Sequence, residues 1–127
     1  MKPGRGEGGV VLIALDHVVL RCADLERSRA FYEALGLVLV PEQHGAGARH
    51  YSCTLGATVL EIYPARGKPS SGVRLGLRVP DVEAALEALR SMEADIVRTD
   101  TEGTTPSAVL RDPDGNEVVL QPTAASG

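Results

Sequence analysis

Tryptophan is absent, and aromatic residues make up only 3% of the chain, with one Phe and three Tyr. So few flat faces argue against a groove that grips a drug by stacking. Cysteine is scarce as well. Cys22 and Cys53 are too few for a disulfide framework. Each sits in an apolar strand-like run, where a free thiol behaves as a small buried hydrophobe. That usage fits a reducing cytoplasm, and no basic residue is placed to activate either thiol as a nucleophile. No apolar run approaches the length of a membrane span. Met1 to Gly9 is Gly-rich and polar, without the core of a signal peptide. No basic run is present and the net charge is −4, which argues against nucleic acid or an anionic membrane as partner. What is present is ordinary for a soluble protein of one domain: 127 residues, 43% hydrophobic and 24% charged.

The chain repeats one plan. Leu15 to Cys22 reads as a strand, and Asp24 caps a helix whose stripe is Leu25, Ser28, Tyr32 and Leu35, with Phe31 beside it. Gly36 suits the left-handed position after such a helix. Val73 to Val79 reads as a second such strand, and Asp81 caps a helix with the stripe Val82, Ala85, Leu86, Leu89 and Met92. Aligning Asp24 with Asp81 puts His17 on Arg74. Further strands are expected at Leu37 to Val40, ended or bent by Pro41, at Arg49 to Thr54, and at Ala57 to Tyr63. The second half adds Ala94 to Arg98, Ser107 to Arg111 and Glu117 to Gln121. The order is β-α-β-β-β twice. The modules span 10–63 and 73–121, the Pro/Gly/Ser-rich linker 64–72, and loose tails 1–9 and 122–127.

Alternation divides each strand into an apolar face for the helix and a more polar one. In the first strand Val18, Leu20 and Cys22 oppose His17, Val19 and Arg21. In the strand after the linker, Val73, Leu75, Leu77 and Val79 oppose Arg74, Gly76 and Arg78. The polar faces have no helix left to cover them. The two sheets are expected to curl toward each other, or toward a partner chain, and enclose a ligand cavity. A two-residue turn at Leu55-Gly56 would set His50 opposite Glu61 on one polar face, and a one-residue slip would separate them. Arg74 and Arg78 on a polar face need a partner. A structural carboxylate such as Glu61 or Glu117 is one candidate, and an anionic ligand gripped bidentately is the other. Tyr51 and Tyr63 on the hairpin either line the pocket or fill the core. His44 falls in a Gly-containing loop at 42–48 and reads as a solvated loop residue, although such loops often close over ligands. Asp112-Pro113-Asp114-Gly115-Asn116 carries two carboxylates, but turn chemistry accounts for it and it receives no catalytic role.

Four stretches carry a family resemblance: Asp16 to Tyr32, Leu60 to Tyr63, Arg78 to Ala85, and Asp112 to Gln121. The sequence resembles the vicinal oxygen chelate superfamily, which includes glyoxalase I, extradiol dioxygenases, methylmalonyl-CoA epimerase, fosfomycin-resistance enzymes and bleomycin-resistance proteins. The resemblance implies an α+β fold, two βαβββ modules forming a curled mixed sheet around a cavity, and commonly a homodimer. It also implies a divalent ion (Zn, Ni, Mn or Fe) held by residues of the first and last strands of each module. His17 and Glu61 are of the expected type in the first module. Arg74 and Val119 stand in the corresponding places of the second, with Glu117 two residues before Val119. Arginine has no lone pair for a metal and valine has no donor. The usual four-ligand set is therefore incomplete, as is a His₂-carboxylate iron set at those positions.

Two functions from different classes follow. The first is a metal-assisted lyase or isomerase, related to the dioxygenases, with a degenerate metal site. His17, Glu61 and His50 would hold the ion, which would act as a Lewis acid on a substrate oxygen. Glu61 is the catalytic candidate for moving a proton, and Arg74, Arg78, Tyr51, Tyr63 and Glu117 would contact the substrate. The second is a binding protein that sequesters a small, anionic molecule without turnover, as bleomycin-resistance proteins do.

Overall fold

The computed structural model describes residues 12–123. The expected tail at 1–9 and the end of the chain from 124 lie outside them. Ten elements follow in order: β1 (His17–Cys22), α1 (Leu25–Ala34), β2 (Val40–Glu42), β3 (His50–Leu55), β4 (Thr58–Pro64), β5 (Arg74–Val79), α2 (Val82–Ser91), β6 (Asp95–Asp100), β7 (Ser107–Arg111) and β8 (Glu117–Pro122). They form two four-stranded mixed sheets, ordered β1-β4-β3-β2 and β5-β8-β7-β6. In each sheet the first strand lies parallel to the last, and the remaining pairings are antiparallel. The sheets stay open and do not close on one another as a barrel, because β1 and β2, and β5 and β6, remain edges.

Both helices begin where a carboxylate can accept from free first-turn N–H groups. Asp24 accepts from the Arg27 amide at 3.1 Å, and Asp81 from the Ala84 amide at 3.0 Å. Each such cap stabilises its helix by about 1 kcal/mol. Ser28, Phe31 and Tyr32 of α1 and Val82, Ala85, Leu86 and Leu89 of α2 are the buried stripes. They meet the apolar strand faces, Leu20 and Cys22 in β1, Leu60 and Ile62 in β4, Leu110 in β7, Val118 and Leu120 in β8, in one continuous core.

Three local features differ from the sequence expectation. The β3–β4 turn uses Gly56 and Ala57, not Leu55 and Gly56, since Leu55 pairs with Thr58. Gly56 takes a positive φ of 60° at the first central position, as a type II′ turn requires. The register thus moves by two residues, placing Ser52 opposite Glu61. A two-residue shift keeps every side chain on its face, so His50 and Glu61 still share one. Strand β2 begins at Val40, because Leu37 and Leu39 turn into the core beforehand. It includes Pro41, tolerable in an edge strand. Pro122, expected in the second tail, closes β8.

The linker is pinned to β1. Ser70 donates its amide to the Arg21 carbonyl at 2.8 Å and accepts from the Arg21 amide through its hydroxyl at 2.8 Å. Asn116 then donates to the Ser70 carbonyl at 2.9 Å, so the second module's turn holds the linker in place. No described helix is long and apolar enough to cross a membrane.

Candidate functional site

The open face of the first sheet gathers the chemistry. Parity puts His17, Val19 and Arg21 of β1 there, with Val59, Glu61 and Tyr63 of β4 and His50 and Ser52 of β3. Edge strand β2 adds Glu42, which pairs with His50, and the loop after it adds His44.

His50 is the centre of this group and is 1% exposed. Its Nδ1 lies 3.1 Å from the Ala48 carbonyl. A carbonyl only accepts, so Nδ1 carries the hydrogen and donates it. Its ring stacks on Tyr63, with centroids 4.0 Å apart and planes 9° apart. The remaining nitrogen, Nε2, lies 3.3 Å from Glu42 Oε1 and 3.5 Å from Glu61 Oε2. It is buried, yet it is aligned with neither oxygen as a hydrogen bond. His44 Nε2 comes within 4.0 Å of the same Glu42 oxygen. Among the described residues, Glu42, His44 and His50 bring their donor atoms within 4.8 Å of one another.

Beside this cluster lies a cleft of about 490 Å³, lined by Arg21, Gly47, Ala48, Tyr63, Arg66, Gly67 and Lys68. The linker bonds to Arg21 account for Arg66 and Lys68 lying next to β1. Three cations and no carboxylate line the cleft, although the whole chain is acidic. Among the described residues none of the three is in an ion pair. Arg21 packs its guanidinium 4.8 Å from the Tyr63 ring centre, a cation–π contact.

The other sequence candidates make their side-chain polar contacts outside the His50 cluster. His17 is exposed at the start of β1, its Nδ1 2.8 Å from Asp16 Oδ2. It pairs with Val59, and the residue opposite Glu61 is Val19. Tyr51 is buried on the helix side, where its hydroxyl donates to Glu26 at 2.6 Å. Arg29 stacks over its ring at 4.8 Å. Arg74 pairs with Glu117 on adjacent strands at 3.1 Å, and Arg78 donates to the Pro122 carbonyl at 3.3 Å. The strand registers place Arg74 where His17 stands and Val119, opposite Gly76, where Glu61 stands. A metal at those four positions does not fit these residues. One imidazole is turned to Asp16, one position is an arginine already paired, and one is a valine.

The Asp112–Asn116 turn joins the modules. Asp112 is buried and accepts from the Tyr32 hydroxyl at 2.7 Å, from the Asn116 amide at 2.9 Å and from its side chain at 3.0 Å. Burial, and then the neighbouring Asp112, push the Tyr32 hydroxyl well above its usual range.

Sequence reasoning gave no role to Glu42, Arg21, Arg66 or Lys68, and treated His44 as a loop residue. Arg21 was on the right face by alternation. Glu42 could have been found only by extending β2 past Pro41. Arg66 and Lys68 lie in a linker whose path follows from two hydrogen bonds that no local pattern encodes.

The sequence model of the Glyoxalase/Bleomycin resistance protein/Dioxygenase superfamily matches residues 14–120. No curated protein matches the chain. Solved structures with the same fold include TnmS3, an antibiotic binding protein from Streptomyces sp. CB03234, at 23% identity and TM-score 0.67, covering 91% of this chain and 99% of that one. Oxidase ChaP-H1 is 17% identical with TM-score 0.69, covering 91% and 99%. Lactoylglutathione lyase from Agrobacterium tumefaciens is 19% identical with TM-score 0.60, covering 86% and 92%.

Proposed function

Because this chain belongs to the glyoxalase/bleomycin resistance protein/dioxygenase superfamily, we propose that it binds a small anionic molecule on the open side of its first sheet and holds it without turnover. One observation carries this reading, the cleft in which Arg21, Arg66 and Lys68 converge with no carboxylate. Cations brought together without acidic partners repel one another, and an anion relieves that repulsion. Arginine suits a carboxylate or phosphate because its planar fork donates two parallel hydrogen bonds. The Tyr63–His50 stack forms a firm wall, so the ligand would meet a fixed surface. The antibiotic-binding protein TnmS3 shares the fold and offers a precedent for binding on it. Arg74 is an arginine already engaged by Glu117, which favours binding over catalysis by the usual four-ligand metal centre.

A second reading is a metal-assisted lyase or isomerase with Glu61 as the proton-moving group. The convergence of Glu42, His44 and His50 beside the cleft favours it. Both readings are tested by calorimetry with a panel of small carboxylates and phosphate esters, followed by product analysis. Binding should weaken as salt rises, and Arg66→Ala with Lys68→Ala should cost about tenfold or more per cation lost. No anion bound at any salt concentration would sink the first reading, and conversion of a bound compound would replace it with the second.

A further inference from the structure

We propose that Glu42, His44, His50 and Glu61 form a divalent-metal site, one that excludes His17 and the second module. The first argument is the state of His50. Its Nδ1 is committed to the Ala48 carbonyl at 3.1 Å, which fixes the ring and turns Nε2 toward two carboxylates. Metal-bound histidines are oriented in this way, with the second nitrogen donating to a carbonyl. A buried ring nitrogen between two carboxylates calls for a positive charge, a proton or a metal ion, between them, and Nε2 is directed at neither oxygen as a hydrogen bond requires. The nitrogen is buried, without a hydrogen-bond partner, in a side chain that is 1% exposed.

The second argument is spacing. A tetrahedral ion with bonds of about 2.1 Å to nitrogen and oxygen separates its ligands by about 3.4 Å. His50 Nε2 lies 3.3 Å from Glu42 Oε1 and 3.5 Å from Glu61 Oε2. These lengths match tetrahedral edges, while their directions fail as hydrogen bonds. His44 Nε2 is 4.0 Å from Glu42 Oε1 and must move inward slightly. Its side chain is 78% exposed, and the loop behind it contains Gly45 at φ 59° and Gly47. Two imidazoles and two carboxylates suit Zn²⁺ or Co²⁺.

The third argument is the way the fold assembles the set. Glu42 and His50 are paired residues on neighbouring strands. Glu61 is diagonal to His50 on the next strand, because Ser52 stands opposite Glu61. Three ligands thus come from a hydrogen-bonded sheet, which sets their backbone spacing before any ion arrives, and the Glu61 carboxylate, outside the Glu42, His44 and His50 atoms that lie within 4.8 Å of one another, must move in to join them. The fourth comes from a loop and completes the shell.

The site does not depend on the anion reading, and its test uses metal alone. The full chain is freed of metal with a chelator, exchanged into buffer and titrated with Co²⁺. The intense visible bands of tetrahedral Co²⁺ report the geometry, and Zn²⁺ is added afterwards in competition. One Co²⁺ per chain, displaced by one Zn²⁺, is expected. His44→Ala, at an exposed loop position, should weaken Co²⁺ binding at least about tenfold, since even outer-shell changes cost that much. Glu61→Gln, which keeps the shape of the side chain, should do the same. His17→Ala should leave binding unchanged. A chain that takes up no stoichiometric metal overturns the proposal. So does one whose affinity falls with His17→Ala and not with His44→Ala or Glu61→Gln.

Discussion

The hydroxyl of Tyr32, in the first module's helix, donates at 2.7 Å to Asp112, in the second module's turn. Residues eighty positions apart thereby meet in the interior, and the turn is fixed against the helix. Tyr32→Phe keeps the ring and its edge-on contact with Phe31, 5.0 Å between centroids, and deletes only this bond. Asp112 still accepts from Asn116 on the same oxygen, so the loss should be about 1–3 kcal/mol, toward the lower end. Urea unfolding should show a lower midpoint at an unchanged slope. A changed slope would mean that the two modules had become separately unfolding units.

Alkaline stability should be governed by buried neutral groups. Burial pushes the Cys22 thiol from its ordinary 9.0 up to about 11, and burial also raises Tyr32. A raised value means that the folded state holds its proton after the unfolded chain has lost it. The contribution is therefore complete below pH 9 and falls as pH climbs toward 11, by up to about 1.4 kcal/mol per unit for one thiol. Urea midpoints at pH 8 and pH 10.5 measure the drop, and Cys22→Ala should remove the part that begins near pH 9. An equal drop in that variant would assign the effect to other groups.

The acid side has a different origin. The Tyr51 hydroxyl, and after it Arg29, hold the Glu26 carboxyl below its ordinary 4.5. With a lowered value the contribution is present above pH 4.5 and is lost as pH falls through the folded value. Tyr51→Phe should shift the acid unfolding midpoint upward and leave ligand affinity unchanged. The reverse pattern, affinity lost and the acid midpoint constant, would put Tyr51 against the ligand.

The fold was legible because its signals are local. Two Asp caps, two stripes at helical spacing and clean alternation in β5 each report one element. Of the candidate site, only the shared face was legible. Parity put His50 and Glu61 on one face, and that survived the two-residue shift in register because a strand repeats every two residues. Glu42 was invisible because Pro41 reads as an end to pairing, while an edge strand forgives it. Tyr51 and Tyr63 are alike in the sequence, yet they stand on opposite faces, one under α1 and the other against His50. Arg74 and Glu117 satisfy each other only because β5 and β8 run parallel in that register, a long-range fact.

The hairpin turn carries a prediction that joins fold to site. Gly56 holds φ at 60°, and a Cβ added there would meet nothing within 4 Å. The cost of Gly56→Ala is therefore backbone strain alone, about 1–2 kcal/mol. Gly56→Asn should recover part of that, because asparagine follows glycine among the residues that the positive-φ positions of primed turns accept. Neither variant alters which residues pair, so Co²⁺ should still bind one per chain in both. Inserting one residue after Ala57 is different. If the strands re-pair one position along, Glu61 and His50 fall on opposite faces and metal uptake should vanish while the chain still folds. If a bulge absorbs the insertion, uptake should persist. Circular dichroism beside Co²⁺ absorbance separates these outcomes. Retained uptake in a chain shown by amide exchange to have slipped would mean that Glu61 is not a ligand.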